Sequence, residues 1–354
     1  MTQPLLHWVP IEAHEMRYTA QWANWFPSMF NNNKIPFWMY NAIGNGKLKP
    51  GEFLSPRTVS IKIFQLSQMI EELIKNKSKP SNILFGDIWF PGIEAIQYLK
   101  QMSEYKYANS SIYGFLHAGT YDSWDRTNQL GVTKWGYGFE DSIFNIIEKI
   151  FVGSRYHLTL VCGKRDIDPE QVVVTGMPVD IDALSKIPQI HNRKGIIFTG
   201  RPVIEKGIDI VSGVRKKGID ITITQLLKPH LSKERYYNLL VNSEVVFAPS
   251  RQETFGYGVV EGMACGCIPV VPNGLSFTDY VPAECRYNDE YEMIELLKNP
   301  PDFTRLELLE WVKKYDFRVV IPKVLKEMDY KLSGVDEHAE VQWVWKRNKR
   351  ESIL

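Results

Sequence analysis

The chain lacks the features that mark membrane, secreted and metal-binding proteins. Its 354 residues include only four cysteines, and Cys162, Cys265, Cys267 and Cys285 do not have the paired spacing of a metal site. No apolar run approaches the length of about 20 residues that spans a bilayer. The first residues have no basic segment before an apolar one, so no signal peptide is predicted. We therefore expect a cytoplasmic protein with buried, reduced thiols.

An excess of charge is also missing. Lys and Arg total 42 against 41 Asp and Glu, which gives a net charge of +1. Such totals supply no global attraction to nucleic acid, although they do not reveal a local basic groove. A hydrophobic fraction of 44% and a charged fraction of 23% are ordinary for a globular protein. Because the chain is longer than one core usually serves, two domains are expected.

Glycine is absent from residues 9–19, directly after the first predicted strand. A dinucleotide-binding dehydrogenase needs a G-x-G-x-x-G loop at that place, which argues against this class. Aromatic residues are abundant early in the chain, and most are expected in the core because large rings dominate packing. These early residues are Trp8, Trp22, Trp25, Phe26, Phe30, Phe37, Trp38 and Tyr40. The basic and aromatic residues 343–350 are expected to form a solvated tail.

Strand and helix patterns alternate along most of the chain. Strands are predicted at residues 5–9, 82–86, 111–116, 151–152, 172–175, 195–199, 220–225, 245–248 and 268–271. Helices are predicted at residues 17–30, 59–75, 92–103, 140–150, 204–216, 233–241 and 257–265, and again from residue 301 onward. Repeated strand–helix units predict two doubly wound, Rossmann-like α/β domains with parallel sheets. The junction is expected near residues 182–193.

The most informative segment is residues 249–266, which read PSRQETFGYGVVEGMACG. It follows a predicted strand and leads into a predicted helix, so Glu253 lies in the loop and Glu261 lies on the helix. Backbone N–H groups at the start of a helix lack partners and attract anions. A diphosphate can bind there, with a carboxylate on either side to accept hydrogen bonds from hydroxyls. The segment therefore predicts a nucleotide-sugar site.

A second motif supports the first. Gly200-Arg201 follows the strand at 195–199, and Lys206-Gly207 follows on the next turn. Ligands of open α/β sheets bind beyond the carboxyl ends of the strands. Arg201 offers a planar fork to phosphate oxygens and Lys206 offers a point charge. Both are expected to face the same crevice as the loop that carries Glu253.

Together these motifs resemble the donor-binding domain of the retaining GT-B glycosyltransferases of the group 1 type, family 4. The resemblance extends over residues 150–275 and includes Gly176-Met177-Pro178-Val179-Asp180. It implies two Rossmann-like domains that face a central cleft, an acceptor-side domain at 1–187 and a donor-binding domain at 188–325. Residues 326–354 would form a C-terminal helix and tail that return to the N-terminal domain. The implied reaction is retaining transfer from a UDP- or GDP-type nucleotide sugar, with no metal and no further cofactor.

The resemblance also implies a role for each matched residue. Arg201 and Lys206 would neutralise the diphosphate, and Glu261 would accept hydrogen bonds from the ribose hydroxyls. The two catalytic-site residues would be Glu253, which contacts the sugar near its 3-hydroxyl, and His117, which faces the reacting side of the sugar. The other implied donor contacts are Thr254, Phe255, Gly256 and Tyr257, with residues 225–227 and 232–235 around the nucleobase.

The acceptor side is less regular. Polar residues that follow predicted strand ends are Glu15, Arg17, Tyr18, Asp87, Asp122 and Asp125. The segments that begin at Asp87 and His117 loosely resemble glycosyltransferases carried by bacteriophages. That resemblance implies a hydroxymethylated base in DNA as the acceptor, and the host cytoplasm as the location. The early aromatic residues and the basic segments would then stack bases and contact phosphates.

Three other functions stay open on the sequence alone. The chain could be a transferase that acts on a saccharide, a lipid or a small molecule, and acceptor screening would reveal it. A GT-B epimerase would convert a nucleotide sugar with no acceptor present. A non-catalytic binder would hold a nucleotide sugar without turning it over. The sequence gives no indication of the oligomeric state.

Overall fold

The computed structural model describes residues 3–12, 18–40, 55–76, 80–102, 110–189, 193–228 and 231–332. The strands are β1 (Leu5–Val9), β2 (Phe37–Met39), β3 (Ser81–Phe85), β4 (Ser110–Phe115), β5 (Lys149–Val152), β6 (Val172–Val174), β7 (Ile196–Phe198), β8 (Ile221–Ile223), β9 (Val245–Phe247), β10 (Ile268–Pro272) and β11 (Arg286–Tyr287). The helices are α1 (Tyr18–Asn32), α2 (Pro56–Lys75), α3 (Ile93–Met102), α4 (Arg126–Gln129), α5 (Thr133–Phe144), α6 (Arg155–Cys162), α7 (Ile181–Ser185), α8 (Ile208–Lys216), α9 (Lys233–Asn242), α10 (Tyr257–Ala264), α11 (Glu290–Lys298), α12 (Arg305–Val312) and α13 (Phe317–Glu327).

The strands form two separate parallel sheets. The first has the order β2-β1-β3-β4-β5-β6 and the second has the order β11-β10-β9-β7-β8. In the first sheet Trp8 lies opposite Leu84 and Met39, and in the second Ile197 lies opposite Val246. The two sheets confirm the predicted pair of doubly wound α/β domains.

Each sheet has a point at which the strand order reverses. From β1 the chain adds β2 on one side and β3 on the other, and from β7 it adds β8 on one side and β9 on the other. Ligands of open α/β sheets bind outside the carboxyl ends of the strands at such a point. The loops that follow β1, β3, β7 and β9 are therefore where the fold places a site.

Burial explains why the strands read as apolar runs. All five residues of β3 are buried, because helices cover both faces of a parallel sheet. Along β1, Trp8 and Val9 enter different hydrophobic clusters on opposite faces. Most of the early aromatic residues are buried as predicted, but the Trp38 side chain is 50% exposed. The four cysteines are unpaired thiols, and all but Cys162 are buried.

Several predicted elements differ from those observed. The helix predicted at 140–150 is α5, which ends at Phe144, while β5 already begins at Lys149. The helix predicted at 204–216 is divided into a 3-10 turn and α8, because Gly207 adopts a left-handed φ of 78° between them. Strands β2 and β11 and helices α4, α6, α7 and α11 were not predicted. The strands, α4 and α7 are very short, and α6 and α11 each follow a strand after only a brief turn.

The end of the described chain returns to the first domain. The Trp25 ring of α1 stacks on the Phe317 ring of α13 with centroids 5.1 Å apart, and the Asn82 amide donates to the Met328 carbonyl at 3.1 Å. The predicted junction at 187/188 falls between β6 and β7, and the domain limits themselves stay a prediction. Residues 333–354, including the predicted tail, lie outside the described residues. Among the described helices, none is long and apolar enough to cross a membrane.

Candidate functional site

The loops after β7 and β9 meet where the second sheet reverses its strand order. The Lys206 ammonium donates to the Gln252 backbone carbonyl at 2.8 Å, to the Gln252 side-chain oxygen at 3.1 Å and to Glu253 Oε2 at 3.0 Å. The Lys206 side chain is 14% exposed and that of Glu253 is 19% exposed. The structure thus brings together Glu253 of the 249–266 segment and the Lys206 cation of the second motif, and both side chains remain partly exposed.

Gly207 allows these loops to approach one another. A Cβ at this residue would lie 2.1 Å from the Pro249 carbonyl oxygen, and its φ of 78° disfavours other residues. The absence of a side chain therefore lets the turn that carries Lys206 pack directly on the start of the 249–253 loop.

Arg201 lies at the same edge of the sheet but points to a different partner. Its guanidinium donates to Glu205 Oε1 at 3.2 Å, and its side chain is 46% exposed. The charge of Arg201 is therefore available to a ligand at the rim, whereas Lys206 is held deeper in the site.

Helix α10 begins in the same loop. Gly256 precedes it with a φ of 87°, and among the described residues no side chain caps its first turn. The Tyr280 hydroxyl holds the loop by donating to the Phe255 carbonyl at 2.8 Å. The Val259 and Val260 N–H groups donate to the Gly256 carbonyl. An uncapped helix start can bind an anion, and anion binding at α10 stays a prediction.

Glu261 on α10 is buried and already has three donors. Its carboxylate accepts from Lys233 Nζ at 2.7 Å, from the Tyr236 hydroxyl at 2.9 Å and from the Tyr237 hydroxyl at 3.1 Å. Burial raises the pKa of Tyr236 and Tyr237 well above the usual value, so both phenols remain protonated donors. A carboxylate offers about four acceptor positions. Room for a further hydroxyl at Glu261 is therefore limited unless a donor moves.

These donors were not predicted. The resemblance assigned residues 232–235 to the surroundings of the nucleobase. In the structure Lys233 is the first residue of α9, directly after the Ser232 N-cap. An open pocket of about 320 Å³ adjoins this helix. Its lining is Leu227, Lys228, Leu231, Arg235, Asn238, Leu239 and Asn242. The nucleobase role of these segments stays a prediction.

His117 is held at the end of β4 by both ring nitrogens. Nε2 lies 2.8 Å from the Gly86 carbonyl oxygen and Nδ1 lies 3.2 Å from the Tyr18 hydroxyl. A neutral ring that donates from Nε2 and accepts at Nδ1 satisfies both contacts. The backbone carbonyl of His117 accepts from Thr254 Oγ1 at 3.0 Å. The structure therefore joins the predicted His117 strand directly to the donor loop.

Thr254 and its neighbours connect the two domains rather than standing free in the cleft. The Thr254 carbonyl accepts from Ser154 Oγ at 2.7 Å. The Tyr257 ring stacks on the Tyr18 ring with centroids 4.2 Å apart and planes 7° apart. The amide of Gln21 donates to the Tyr237 hydroxyl at 3.1 Å, so the N-terminal domain also reaches the group around Glu261.

Asp122 faces the donor loop from the opposite domain. Its Oδ1 accepts from the Trp124 amide at 2.9 Å, and its Oδ2 is buried without a partner at hydrogen-bond distance in the described chain. Burial raises the pKa of this carboxyl, while the Trp124 amide, Gln252 and Lys206 lower it in part. The effects of Gln252 and Lys206 place this carboxyl near their contact, and its acceptor-side role stays a prediction.

A buried ion pair fixes the loop between His117 and Asp122. Glu140 accepts from the Thr120 amide at 2.5 Å, from Thr120 Oγ1 at 2.6 Å and from Arg165 at 2.7 Å. Trp89 Nε1 also donates to Glu140, at 3.1 Å. This ion pair could not be predicted, because its members are 25 residues apart in the chain and carry no motif.

Of the other acceptor-side candidates, Asp125 accepts from the Thr127 backbone N–H and hydroxyl, Asp87 is turned inward, and Glu15 and Arg17 are not described. Asp87 is 4% exposed, accepts from the Trp89 amide at 3.0 Å and lies 3.6 Å from Lys62 Nζ. Lys62 is also 3.6 Å from buried Glu12. Glu15 and Arg17 lie outside the described residues.

Asp180 and Asp182, which form an Asp-x-Asp pair in the sequence, are each held in an ion pair. Asp180 pairs with Arg318 at 3.1 Å and Asp182 with Lys186 at 2.9 Å. Within the described ranges, no group of three or more His, Cys, Asp or Glu side chains could hold a metal ion.

No family model matches this chain. The tRNA-queuosine alpha-mannosyltransferase of Drosophila melanogaster is 28% identical over 104 residues. That match covers 27% of this chain and 28% of the mannosyltransferase, so it spans little more than a quarter of the relative's length.

Solved structures match over nearly the whole chain. Sucrose-phosphate synthase from Thermosynechococcus elongatus is 12% identical with a TM-score of 0.66, covering 92% of this chain and 98% of that one. The lipopolysaccharide outer core galactosyltransferase WaaB is 10% identical with a TM-score of 0.60, covering 92% and 99%. The UDP-forming α,α-trehalose-phosphate synthase of Burkholderia vietnamiensis is 10% identical with a TM-score of 0.60, covering 93% and 99%. The two parallel-sheet domains of this chain therefore have the GT-B fold.

Proposed function

We propose that the protein is a glycosyltransferase that moves a sugar from a nucleotide-diphosphate sugar to an acceptor hydroxyl. One observation carries the proposal: the ammonium of Lys206 lies 3.0 Å from Glu253, beside the uncapped start of α10, at the reversal point of the second sheet. Cation and helix start would bind the diphosphate, and Glu253 would accept from a sugar hydroxyl. The fold shared with known glycosyltransferases supports this assignment.

The proposed reaction is retaining. The acceptor oxygen attacks the anomeric carbon on the face from which the diphosphate leaves, and the bond from that carbon to the diphosphate oxygen breaks. The leaving phosphate oxygen takes the acceptor proton, so the products are a glycoside and a nucleoside diphosphate. Charge grows on the leaving group as the bond breaks, and Lys206, Arg201 and α10 would stabilise it most in the transition state.

The proposed acceptor is a hydroxymethylated base in DNA. The interdomain position of His117 and Asp122 supports an acceptor path from the first domain, and the loose resemblance to phage enzymes supports the DNA base. A base must leave the stack before its hydroxymethyl group can reach an anomeric carbon in a cleft.

A hydroxyl-bearing nucleoside of tRNA is the second candidate acceptor. The sequence match to an enzyme named for mannosyl transfer to tRNA-queuosine favours it, although that match covers about a quarter of each chain.

A donor panel followed by an acceptor panel tests the proposal. Purified protein would be incubated with UDP- and GDP-sugars in EDTA, and nucleotide release would be measured by mass spectrometry. We expect release with at least one donor. Absence of turnover, or turnover only with an added divalent ion, would refute the donor site described here.

The acceptor panel would contain hydroxymethylated DNA, plain DNA, tRNA and soluble saccharides. Transfer to hydroxymethylated DNA alone supports the first candidate, and transfer to tRNA supports the second. Efficient transfer to a saccharide with no nucleic-acid product overturns both. Conversion of the donor without any acceptor would instead indicate an epimerase, and the anomeric configuration of any product tests retention.

A further inference from the structure

Trp124 lies at the mouth of the cleft, between the two domains. Its ring lies 5.8 Å from the guanidinium of Arg251, which belongs to the donor loop of the opposite domain. Its backbone N–H donates to Asp122, the carboxylate beside Lys206 and Gln252. An acceptor that approaches the Lys206–Glu253 contact from this side therefore passes the indole.

Arg251 and the backbone of Trp124 are both held in place by hydrogen bonds. The Arg251 guanidinium binds both carboxylate oxygens of Asp209 at 2.7 Å and also donates to the Ile204 carbonyl at 2.7 Å. On the other side, Asp122 and the Gln129 amide bind the backbone of Trp124. Trp124 is nevertheless 41% exposed. A pre-positioned aromatic surface loses little entropy when it binds a ligand.

We propose that Trp124 is an acceptor-binding residue that stacks a flat nucleobase at the cleft mouth and thereby sets acceptor specificity. This inference rests on the proposed transfer to nucleic acid. Indole faces stack planar bases irrespective of sequence, and the hydroxyl-bearing base would then lie between Trp124 and the donor sugar. Arg251, neutralised by Asp209, closes one side of the surface and leaves the rest to the acceptor.

The test compares Trp124→Ala and Trp124→Phe in the full chain. The matched control is Trp311→Ala, because Trp311 is 42% exposed and lies on α12, a helix to which no ligand contact is assigned. The probe is a fluorescent single-stranded oligonucleotide that contains hydroxymethylcytosine, with a plain oligonucleotide beside it. Anisotropy gives the oligonucleotide Kd, steady-state transfer gives the acceptor KM, and nucleotide release without acceptor gives the donor KM.

We expect Trp124→Ala to raise the oligonucleotide Kd and the acceptor KM by about tenfold, as for the loss of one stacked base. Trp124→Phe should retain most of the affinity, and Trp311→Ala should match the wild type. Donor KM and melting temperature should stay unchanged in all three variants.

The contrary outcomes separate this inference from the proposed function. Unchanged oligonucleotide affinity in Trp124→Ala, with normal turnover, overturns the role of Trp124 alone. A change in donor KM equal to the change in acceptor KM would show that the ring maintains the contact between the domains and does not bind the acceptor. If the wild-type enzyme glycosylates saccharides and binds no oligonucleotide, the proposal that the acceptor is a nucleobase is overturned. If the wild-type protein turns over no donor, the proposed function itself is refuted.

Discussion

Lys206 is the side chain on which the donor site depends most directly. Its ammonium contacts Gln252 and Glu253 and is 14% exposed, so a bound diphosphate would join a partly desolvated cation. We expect Lys206→Ala to reduce kcat/KM for the donor by an amount equivalent to about 2–4 kcal/mol of transition-state stabilisation. Donor titration and initial rates would measure both terms. Arg201→Ala should act in the same direction, but less strongly, because its charge is more exposed.

The matched control for Lys206 is Lys217. It forms a similar ion pair with Glu290, but its side chain is 52% exposed and lies on the surface. Lys217→Ala should leave the donor kinetics unchanged. Equal losses in both variants would indicate a general effect of charge, and wild-type kinetics in Lys206→Ala would show that the diphosphate binds elsewhere.

The two carboxylates of the site should respond differently to neutralisation. Glu253→Gln frees Lys206 from an ion pair, so donor affinity should hold or improve while turnover falls about 10- to 100-fold. Glu261→Gln should mainly weaken donor binding. It should also lower the free energy of unfolding by about 1–3 kcal/mol, because Lys233, Tyr236 and Tyr237 lose a buried anionic acceptor.

Kinetics and urea denaturation of both variants test this division. A stable Glu261→Gln variant with normal donor affinity would contradict both the buried acceptor role that its contacts indicate and the donor role that the resemblance implies. A loss of donor affinity in Glu253→Gln that equals the loss of turnover would contradict the role of Glu253.

For single residues, the sequence predicted which site residues lie close together better than it predicted their hydrogen bonds and ion pairs. Lys206 and Glu253 each follow a strand end, and strands β7 and β9 are neighbours, so their meeting follows from topology. The three donors around Glu261 could not be predicted, because they depend on how α9 packs against α10. The inward orientation of Asp87 depends on Lys62, a buried lysine that no motif distinguishes.

Among the elements, the start of α10 is the most sensitive to backbone change. Gly256 has a φ of 87°, and a Cβ there would lie 2.4 Å from the Tyr280 hydroxyl oxygen. We expect Gly256→Ala to cost about 1–3 kcal/mol of stability. It should also weaken donor binding, because the first N–H groups of α10 would be displaced. Thermal unfolding and donor titration would measure the two effects.

Gly213 provides the control for this substitution. It lies inside α8, and a Cβ at that residue meets no atom within 4 Å. Gly213→Ala should therefore stabilise the protein by roughly 0.5–1 kcal/mol without changing donor binding. Gly256→Ala with unchanged stability and donor affinity would show that this helix start does not bind the diphosphate.

Element prediction succeeded where apolar periodicity was long and failed at chain reversals. The α2 and α9 patterns gave nearly correct limits, because each helix buries residues along one face. The edge strands β2 and β11 are three and two residues long, which leaves no periodicity to detect. The interruption at Gly207 was missed, since a glycine within a helical pattern also occurs in unbroken helices.

For the whole molecule, doubly wound topology was predictable and the closeness of the domains was not. Repeated strand–helix units specify parallel sheets. The contact of Tyr18 with Tyr257, and of Thr254 with the His117 carbonyl, joins residues that are distant in the chain. Residues of both domains therefore line the cleft. For this reason the acceptor side could not be derived from the donor-side motifs alone.

Acid stability is a whole-molecule property that two buried histidines should dominate. Burial lowers the pKa of His7 to about 4 and that of His157 to about 3, with His117 contributing to the second shift. Each ring accepts or shares a hydrogen bond with a tyrosine at 2.6 Å. Both should therefore remain neutral in the folded protein at pH values where they would be charged in the unfolded chain.

The sign of the effect follows from proton binding. Between the unfolded pKa of about 6.5 and the lowered folded value, the unfolded state binds more protons, so stability falls as pH falls. Each histidine contributes up to about 1.4 kcal/mol per pH unit in that window. The raised pKa of Asp122 acts in the opposite direction at lower pH, because the folded state then binds the extra proton.

Urea denaturation between pH 7 and pH 5 isolates the histidine contribution when wild type is compared with His157→Gln. Glutamine keeps a polar group near the Tyr121 hydroxyl but cannot take up a proton in this range. The stability lost on going from pH 7 to pH 5 should be smaller in His157→Gln by about 2 kcal/mol, and His7→Gln should add independently, since the two rings lie in different elements. If the free energy of unfolding of His157→Gln falls with pH as steeply as that of the wild type, the His157 ring is protonated in the folded protein. The buried Tyr121–His157 contact would then require an anionic partner that the described contacts do not include.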